Sequence, residues 1–90
     1  MKEQESESAI QFPCQFPIKA MGKTSPKLDI IIIEIIRRHV EDIHEGAIKS
    51  RPSKNGKYTS ITTTIEASSK EQLNAIYQDL SDHPDVLMAL

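Results

Sequence analysis

Several residue types that support catalysis or cross-linking are scarce in this 90-residue chain, which has one cysteine, three glycines and no tryptophan. Because Cys14 is the only cysteine, neither an intramolecular disulfide nor a multi-cysteine zinc site can form. The scattered glycines form no phosphate-binding loop, and His39, His44 and His83 lack zinc-site spacing. No nucleophile or acid–base pair can be assembled either. The sequence therefore predicts no metal, no cofactor and no enzymatic activity.

An excess of positive charge is also missing, because 11 lysines and arginines face 13 aspartates and glutamates, for a formal net charge of −2. Generic binders of nucleic acid or anionic membranes rely on surplus positive charge, so neither class is expected. The longest apolar run, residues 30–36, is interrupted by Glu34 and is far shorter than the roughly 20 residues that span a bilayer. No signal-peptide pattern is present. With its single cysteine, the protein is expected in the reducing cytoplasm.

The remaining composition is that of one small globular domain, with 38% hydrophobic and 27% charged residues. Residues 1–11 contain three glutamates but little that could be buried, so we expect them to form a disordered acidic tail. Residues 12–90 are then the domain, and Phe12-Pro13 is expected to dock the chain onto it.

Local patterns predict a strand followed by a helix in the first half of the domain. Residues 15–21 alternate between apolar side chains on one face and other side chains on the opposite face. Ser25 is expected to cap a helix over residues 26–40, because Pro26 suits the first helical position, where a missing N–H costs nothing. Isoleucines recur on one side of that helix at helical spacing.

A hairpin of two strands is predicted next, over residues 47–53 and 57–67. Asn55-Gly56 lies between them and is a strong hairpin signal, because both residues tolerate positive φ. The second of these strands alternates strictly, which indicates one buried face and one wet face.

An amphipathic helix and a short strand end the predicted elements. Ser68 and Glu71 have the spacing of a capping box at the start of the helix, and His83-Pro84 ends it. Residues 86–90 read as the last strand. The resulting order, β-α-β-β-α-β, predicts an α+β ferredoxin-like sandwich with an antiparallel sheet in the order 4-1-3-2 and both helices on one face. The predicted core consists of Phe16, Ile18, Leu28, Ile32, Ile35, Ile61, Ile65, Leu73, Ile76, Tyr77 and Leu80.

The stretch around the predicted hairpin is basic, with Lys49, Arg51, Lys54 and Lys57 and no acidic residue between them. Such a segment suits the binding of a phosphate, a carboxylate or an acidic partner. It also suits protection of an edge strand by charge, and the sequence leaves both interpretations open. Lys49 and Arg51 share one strand face, and Arg51 can hold a carboxylate or phosphate with two hydrogen bonds.

Two further surfaces are candidates for binding. Lys19 and Tyr58 lie on the two central strands and are expected to meet on the open sheet face, either as part of a small polar ligand site or as ordinary solvated residues. Because only Tyr58 among the aromatic residues is expected there, RNA binding on that face is not favoured. Ile30 and Ile33 do not share the core side of the first helix, so they are candidates for a contact with a partner or a second copy.

The sequence resembles the YbeD-like family of small bacterial proteins. The resemblance covers residues 12–90 and rests on these segments: Phe12-Pro13, Phe16-Pro17-Ile18-Lys19-Ala20-Met21-Gly22, Arg51-Pro52-Ser53, Gly56-Lys57-Tyr58-Thr59-Ser60, Tyr77 with Leu80, and His83-Pro84 before Val86. It implies an ACT-like ferredoxin fold, in agreement with the pattern of elements. By analogy, it implies either contact with another protein or sensing of a small metabolite where the first strand turns into the first helix, at Gly22.

Two functions are therefore expected from the sequence. The first is a non-enzymatic regulatory or adaptor domain that acts through protein contacts, with homodimerisation as one form of contact. The alternative is a small-metabolite sensor whose ligand lies near Lys19, Gly22 or Arg51.

Overall fold

The computed structural model describes residues 11–90, so ten residues of the predicted tail lie outside the described part. Six regular elements follow one another in the predicted order, with a short 3-10 helix at Glu45–Ala47 before the second strand. Their bounds are β1 Cys14–Lys23, α1 Leu28–Arg37, β2 Ile48–Pro52, β3 Tyr58–Ala67, α2 Lys70–Asp82 and β4 Val86–Ala89.

The four strands form one antiparallel sheet in the order β2-β3-β1-β4, which confirms the predicted ferredoxin-like topology. The long central pair aligns Cys14 with Ala67 at one end and Lys23 with Tyr58 at the other. β4 covers only the second half of β1, where Met21 pairs with Met88, and the pairing then shifts by one residue.

The core lies between the sheet and the two helices, as the strict alternation of β3 predicted. Ile18, Ile32, Ile61 and Ile76 are all at most 1% exposed. Phe16 and Tyr77, also expected in the core, are partly buried and pack against it. The prediction missed several buried residues: Ala20, Ile36, Val40, Thr63, Ala67 and Val86. Within residues 11–90, no helix is long and apolar enough to cross a membrane.

The first helix is shorter than predicted at both ends. It begins at Leu28 rather than at Pro26, and it has no side-chain cap. The Ser25 hydroxyl accepts a hydrogen bond from the Lys27 N–H at 3.2 Å, so it stabilises the preceding turn instead. At the other end, the helix stops at Arg37, and His39 lies beyond it with a half-buried ring.

The predicted capping box of the second helix was wrong by one residue. Ser69, not Ser68, is the N-cap, and its hydroxyl accepts from the Gln72 N–H at 3.0 Å. The Gln72 side chain takes the part predicted for Glu71, since its oxygen accepts from the Ser68 N–H at 2.8 Å. Its amide nitrogen also donates to the His39 carbonyl at 2.8 Å, which ties the start of α2 to the end of α1.

The hairpin exists, but not as the turn with two positive φ angles that Asn-Gly suggested. Among the described residues only Gly56 has a positive φ, of 76°. The Ser53 N–H donates to the Tyr58 carbonyl, so four residues lie between the last hydrogen-bonded pair, Ser53 and Tyr58. Within this loop the Gly56 N–H donates to the Ser53 carbonyl. The Asn55 side chain accepts from the Lys57 N–H at 3.1 Å, which organises the loop.

Candidate functional site

The sheet has one face that neither helix covers within the described residues, and its strand register decides which side chains meet there. Residues on this open face lie opposite the core-facing Ile18, Ala20, Ile61 and Thr63 by the alternation of strand side chains. One row across the sheet is Lys49 on β2, Thr62 on β3 and Lys19 on β1. The next row is Arg51 on β2, Ser60 on β3 and Met21 on β1.

These rows bring together three cations that the sequence placed on two separate surfaces. Lys19, Lys49 and Arg51 line a shallow groove of about 330 Å³, here called the basic groove, together with Ser50, Ser60 and Thr62. Ser60 and Thr62 are half-buried and short, so they form its floor. All three cationic side chains belong to exposed residues.

Among residues 11–90, the side chains that line the basic groove include no acidic residue. Glu66 and Asp85 lie outside the groove, and Glu66 pairs with Gln15 at the far end of the sheet. Ammonium, guanidinium and hydroxyl groups are all hydrogen-bond donors. The groove can therefore bind carboxylate or phosphate groups.

An apolar strip borders the basic groove on the same face. Met88 pairs with Met21, and Leu90 exchanges two backbone hydrogen bonds with Lys19, of 3.1 and 2.7 Å, so both residues share the open face. Met88 is 50% exposed and Leu90 is 65% exposed. The apolar strip, defined as Met21, Met88 and Leu90, therefore presents unburied hydrocarbon next to the cations.

Tyr58 does not meet Lys19, contrary to the sequence prediction. Thr62 lies opposite Lys19, whereas Tyr58 pairs with Lys23 at the other end of β1. The Lys57 ammonium lies 5.8 Å from the centre of the Tyr58 ring, within the range of a cation–π contact.

Tyr58 instead lines a second depression, here called the turn pocket, which lies where β1 turns towards α1. Its volume is about 470 Å³ and its lining is Lys23, Thr24, Ser25, Lys57, Tyr58, Pro84, Asp85 and Leu87. It contains cations, hydroxyls and a carboxylate, so it offers mixed polar contacts rather than a site for one charge. The Thr24 and Thr59 hydroxyls, 2.8 Å apart, tie this turn to β3.

Gly22, a predicted ligand contact, is buried beside the turn pocket and does not line it. A Cβ atom at this position would overlap the Asp85 carbonyl oxygen and would lie 2.8 Å from a Leu28 methyl carbon. Close packing of β1 against the start of β4 and of α1 therefore accounts for a glycine here.

Ile30 and Ile33, the predicted interface residues, lie on α1 and away from the open face. Ile30 is 54% exposed, and Ile33 is half-buried. A single exposed isoleucine is common on protein surfaces and does not define a contact.

The other groups with potential chemistry lie apart from one another. The His39 Nε2 and Asp79 Oδ2 atoms are 2.7 Å apart and join the end of α1 to α2. Cys14 is a half-buried free thiol at the start of β1. Among residues 11–90, no group of three or more histidine, cysteine, aspartate or glutamate side chains could hold a metal ion.

Sequence reasoning missed the apolar strip because its members come from two elements. Met21 lies on the face of the first strand opposite the core, but Met88 lies on, and Leu90 directly after, a strand too short for alternation to show its faces. The signal that could have found them is the uncharged run Val86–Ala89, which offers nothing polar for either face.

Comparison with known proteins shows a family of this length and fold. A model of the family described as "Protein of unknown function (DUF493)" matches residues 7–90. Among similar proteins are three called UPF0250 protein, all of which are matched over nearly their whole length. The Paraburkholderia phytofirmans protein is 41% identical over 94% of this chain and 96% of its own. The Nitrosomonas europaea protein is 43% identical over 93% of this chain and 97% of its own. The Neisseria gonorrhoeae protein is 40% identical over the full length of both chains.

A solved structure supports the fold in the same way. The solution structure of protein HP0495 from H. pylori is 23% identical in sequence, with a TM-score of 0.69 over 90% of this chain and 85% of that one. At this identity the likeness concerns the fold alone.

Proposed function

The chain belongs to the DUF493 family of small bacterial proteins of unknown function, as the YbeD-like resemblance predicted, and we propose that it is a non-enzymatic adaptor or regulatory domain. It acts in the cytoplasm by binding another protein through the open face of its sheet. The observation that carries this proposal is the basic groove beside the apolar strip: Lys19, Lys49 and Arg51 adjoin Met21, Met88 and Leu90 on the sheet face that neither helix covers within residues 11–90.

The combination favours an acidic protein surface over other partners. Apolar side chains supply burial, whereas cations with no acid beside them in the described part of the chain give the surface a preference for negative charge. RNA is disfavoured because single-stranded RNA is bound through exposed aromatic rings, and none lines the basic groove. The partner is therefore a protein whose contact surface carries both carboxylates and apolar groups.

Capture from a cytoplasmic extract with single-site variants tests this proposal. Arg51→Ala is expected to weaken binding of the captured protein by about tenfold or more, because a guanidinium can hold a carboxylate with two charged hydrogen bonds. Lys54→Ala is the matched control, since Lys54 is an exposed cation at the hairpin tip outside the groove. Its effect is expected to stay within about twofold. Affinity is measured for both variants at two salt concentrations.

Two outcomes would contradict the proposal. If both variants weaken binding by the same small factor and high salt abolishes both effects, the contact is diffuse attraction rather than a site. If Arg51→Ala lowers the free energy of unfolding by several kcal/mol, Arg51 is a structural residue, because exposed substitutions usually change it by less than about 0.5 kcal/mol.

A small-metabolite sensor is the second candidate, and the turn pocket favours it. Its volume of about 470 Å³ falls within the range of small-molecule sites, and it lies at the strand-to-helix turn that the resemblance singled out. A thermal-shift screen of amino acids and small carboxylic acids tests it, with Tyr58→Ala as the variant that removes part of the lining. A ligand at 100 times its Kd stabilises the folded state by roughly 2.7 kcal/mol. No stabilisation of the wild-type protein would exclude these ligand classes.

A further inference from the structure

Both edges of the sheet are poorly suited to accept a strand from a partner. β2 carries the exposed Lys49 and Arg51 and ends at Pro52, which has no backbone N–H to donate. β4 is only four residues long, and its pairing with β1 is irregular next to Met21. Charge, proline, short length and irregular pairing are the features that prevent strand addition at sheet edges. The open face is therefore the part of the sheet that remains for contact with a partner.

A segment that lies on a sheet face receives no backbone hydrogen bonds from the sheet, because the strands use theirs with one another. Its buried N–H and C=O groups must be satisfied within the segment itself. An α-helix satisfies them along its own length, whereas a lone extended segment does not.

The open face has the dimensions and the chemical pattern for one helix. The line of cations on β2 and the apolar side chains on β4 are three strand spacings apart, or about 14 Å. An α-helix with its side chains is about 10–12 Å wide. Between these two lines β3 contributes the short Ser60 and Thr62, which form the floor beneath the helix, and β1 contributes Lys19 and Met21, which lie at its side.

We propose that the open face binds an amphipathic helix of the partner protein, laid along β3. One side of this helix is apolar and packs on Met21, Met88 and Leu90. Its adjacent side carries aspartates or glutamates at helical spacing, which pair with Lys49, Arg51 and Lys19. This inference rests on the proposed function and specifies the partner segment that it requires.

Zero-length carbodiimide cross-linking tests the helix directly, because it joins lysine amines only to carboxylates in direct contact. The tagged full-length protein is cross-linked in a cytoplasmic extract, and the joined peptides are identified by mass spectrometry. Lys19 and Lys49 are expected to couple to acidic residues three, four or seven positions apart in one partner segment. Lys27 and Lys54, which are exposed outside the groove, serve as internal controls and are expected not to couple to that segment.

Matched apolar variants provide the second measurement. Met88→Glu and Ile30→Glu each place a carboxylate on a residue that is about half exposed, but only Met88 belongs to the apolar strip. Met88→Glu is expected to lower the yield of the Lys19 and Lys49 cross-links by about tenfold. Ile30→Glu is expected to leave it unchanged.

The results separate failure of this inference from failure of the proposed function. If Lys19 and Lys49 couple to acids two positions apart or to scattered loops, the partner segment is not a helix, although the surface is still a protein site. If neither lysine couples to any protein, both are overturned. Sedimentation with phosphatidylglycerol vesicles forms the last arm, and binding that Met88→Glu abolishes would identify a membrane surface instead and overturn both.

Discussion

Thr63 is a single core residue that is expected to lower the stability of the folded state. Its side chain is fully buried on the helix-covered face of β3, and its hydroxyl has no hydrogen-bond partner among the described residues. Burial of an unsatisfied hydroxyl costs about 1–3 kcal/mol. Thr63→Val keeps the shape of the side chain and removes that group, so we expect it to raise the free energy of unfolding by about 1 kcal/mol.

Urea denaturation measures this change, with Thr62→Val as the control. Thr62 is the next residue on the same strand but lies on the open face, so its substitution is expected to shift the free energy of unfolding by less than about 0.5 kcal/mol. An unchanged or lower midpoint for Thr63→Val would show that the hydroxyl has a partner in the folded protein.

Gly22 allows a second test at the residue scale. A methyl group there would collide with the backbone carbonyl of Asp85 and press on Leu28, and a carbonyl in a packed turn cannot move aside cheaply. We expect Gly22→Ala to lower the free energy of unfolding by about 1–3 kcal/mol. Gly46→Ala is the control, because a Cβ at Gly46 meets no atom within 4 Å. Equal stability of the two variants would show that the backbone around Gly22 relaxes enough to admit a methyl group.

At the scale of single elements, the β2–β3 hairpin depends on the backbone of Gly56. Its φ of 76° lies in the left-handed region, which costs a residue with a side chain about 1–2 kcal/mol. Gly56→Val is therefore expected to lower the free energy of unfolding by about 1 kcal/mol or more, although no described atom lies within 4 Å of an added Cβ. Thermal unfolding checks this expectation, and an unaltered midpoint would mean that the loop can adopt another turn type.

The type and order of the elements were predictable, but several of their ends were not. Ser68 and Ser69 are adjacent and both precede an acid or amide at suitable spacing, so the sequence could not decide which one caps α2. Tertiary packing decided which serine is the cap. The Gln72 amide nitrogen donates to the carbonyl of His39, just beyond the end of α1, and this contact holds the Gln72 side chain, rather than that of Glu71, beside the start of α2.

Tyr77 is expected to make the stability of the whole molecule depend on pH. Burial raises the pKa of its phenol above the ordinary value of 10.0, and its hydroxyl donates to the Leu90 carbonyl at 2.7 Å. Since the folded state holds this proton more tightly than the unfolded state, its contribution to stability is complete below the unfolded pKa and decreases as the pH rises above it. We expect the free energy of unfolding to fall more steeply for the wild type than for Tyr77→Phe between about pH 9 and pH 11.

Chemical denaturation across that range provides the measurement. All other ionisable groups are present in both proteins, so the difference between the two curves isolates Tyr77. Tyr77→Phe should also be less stable at neutral pH by about 1 kcal/mol, because it loses one hydrogen bond. Parallel pH curves would show that the phenol titrates equally in the folded and unfolded states.

The sequence by itself determined the architecture of this protein. Helical spacing of the isoleucines, strict alternation from Tyr58 to Ala67 and the break at His83-Pro84 are local properties, and local geometry converts them directly into elements. The order of these elements then predicted the ferredoxin-like topology. Alternation along the two long central strands indicated which of their faces is buried.

Only the tertiary structure decided which candidate residues lie together. Strand register cannot be read from periodicity, because a shift by two residues keeps every side chain on its face while changing every neighbour. The actual register separates Tyr58 from Lys19 and places Lys19 across Thr62 from Lys49. It also brings Met88 beside Met21. The basic groove and the apolar strip are thus properties of strand pairing, since their members are far apart in the chain and meet only when the sheet forms.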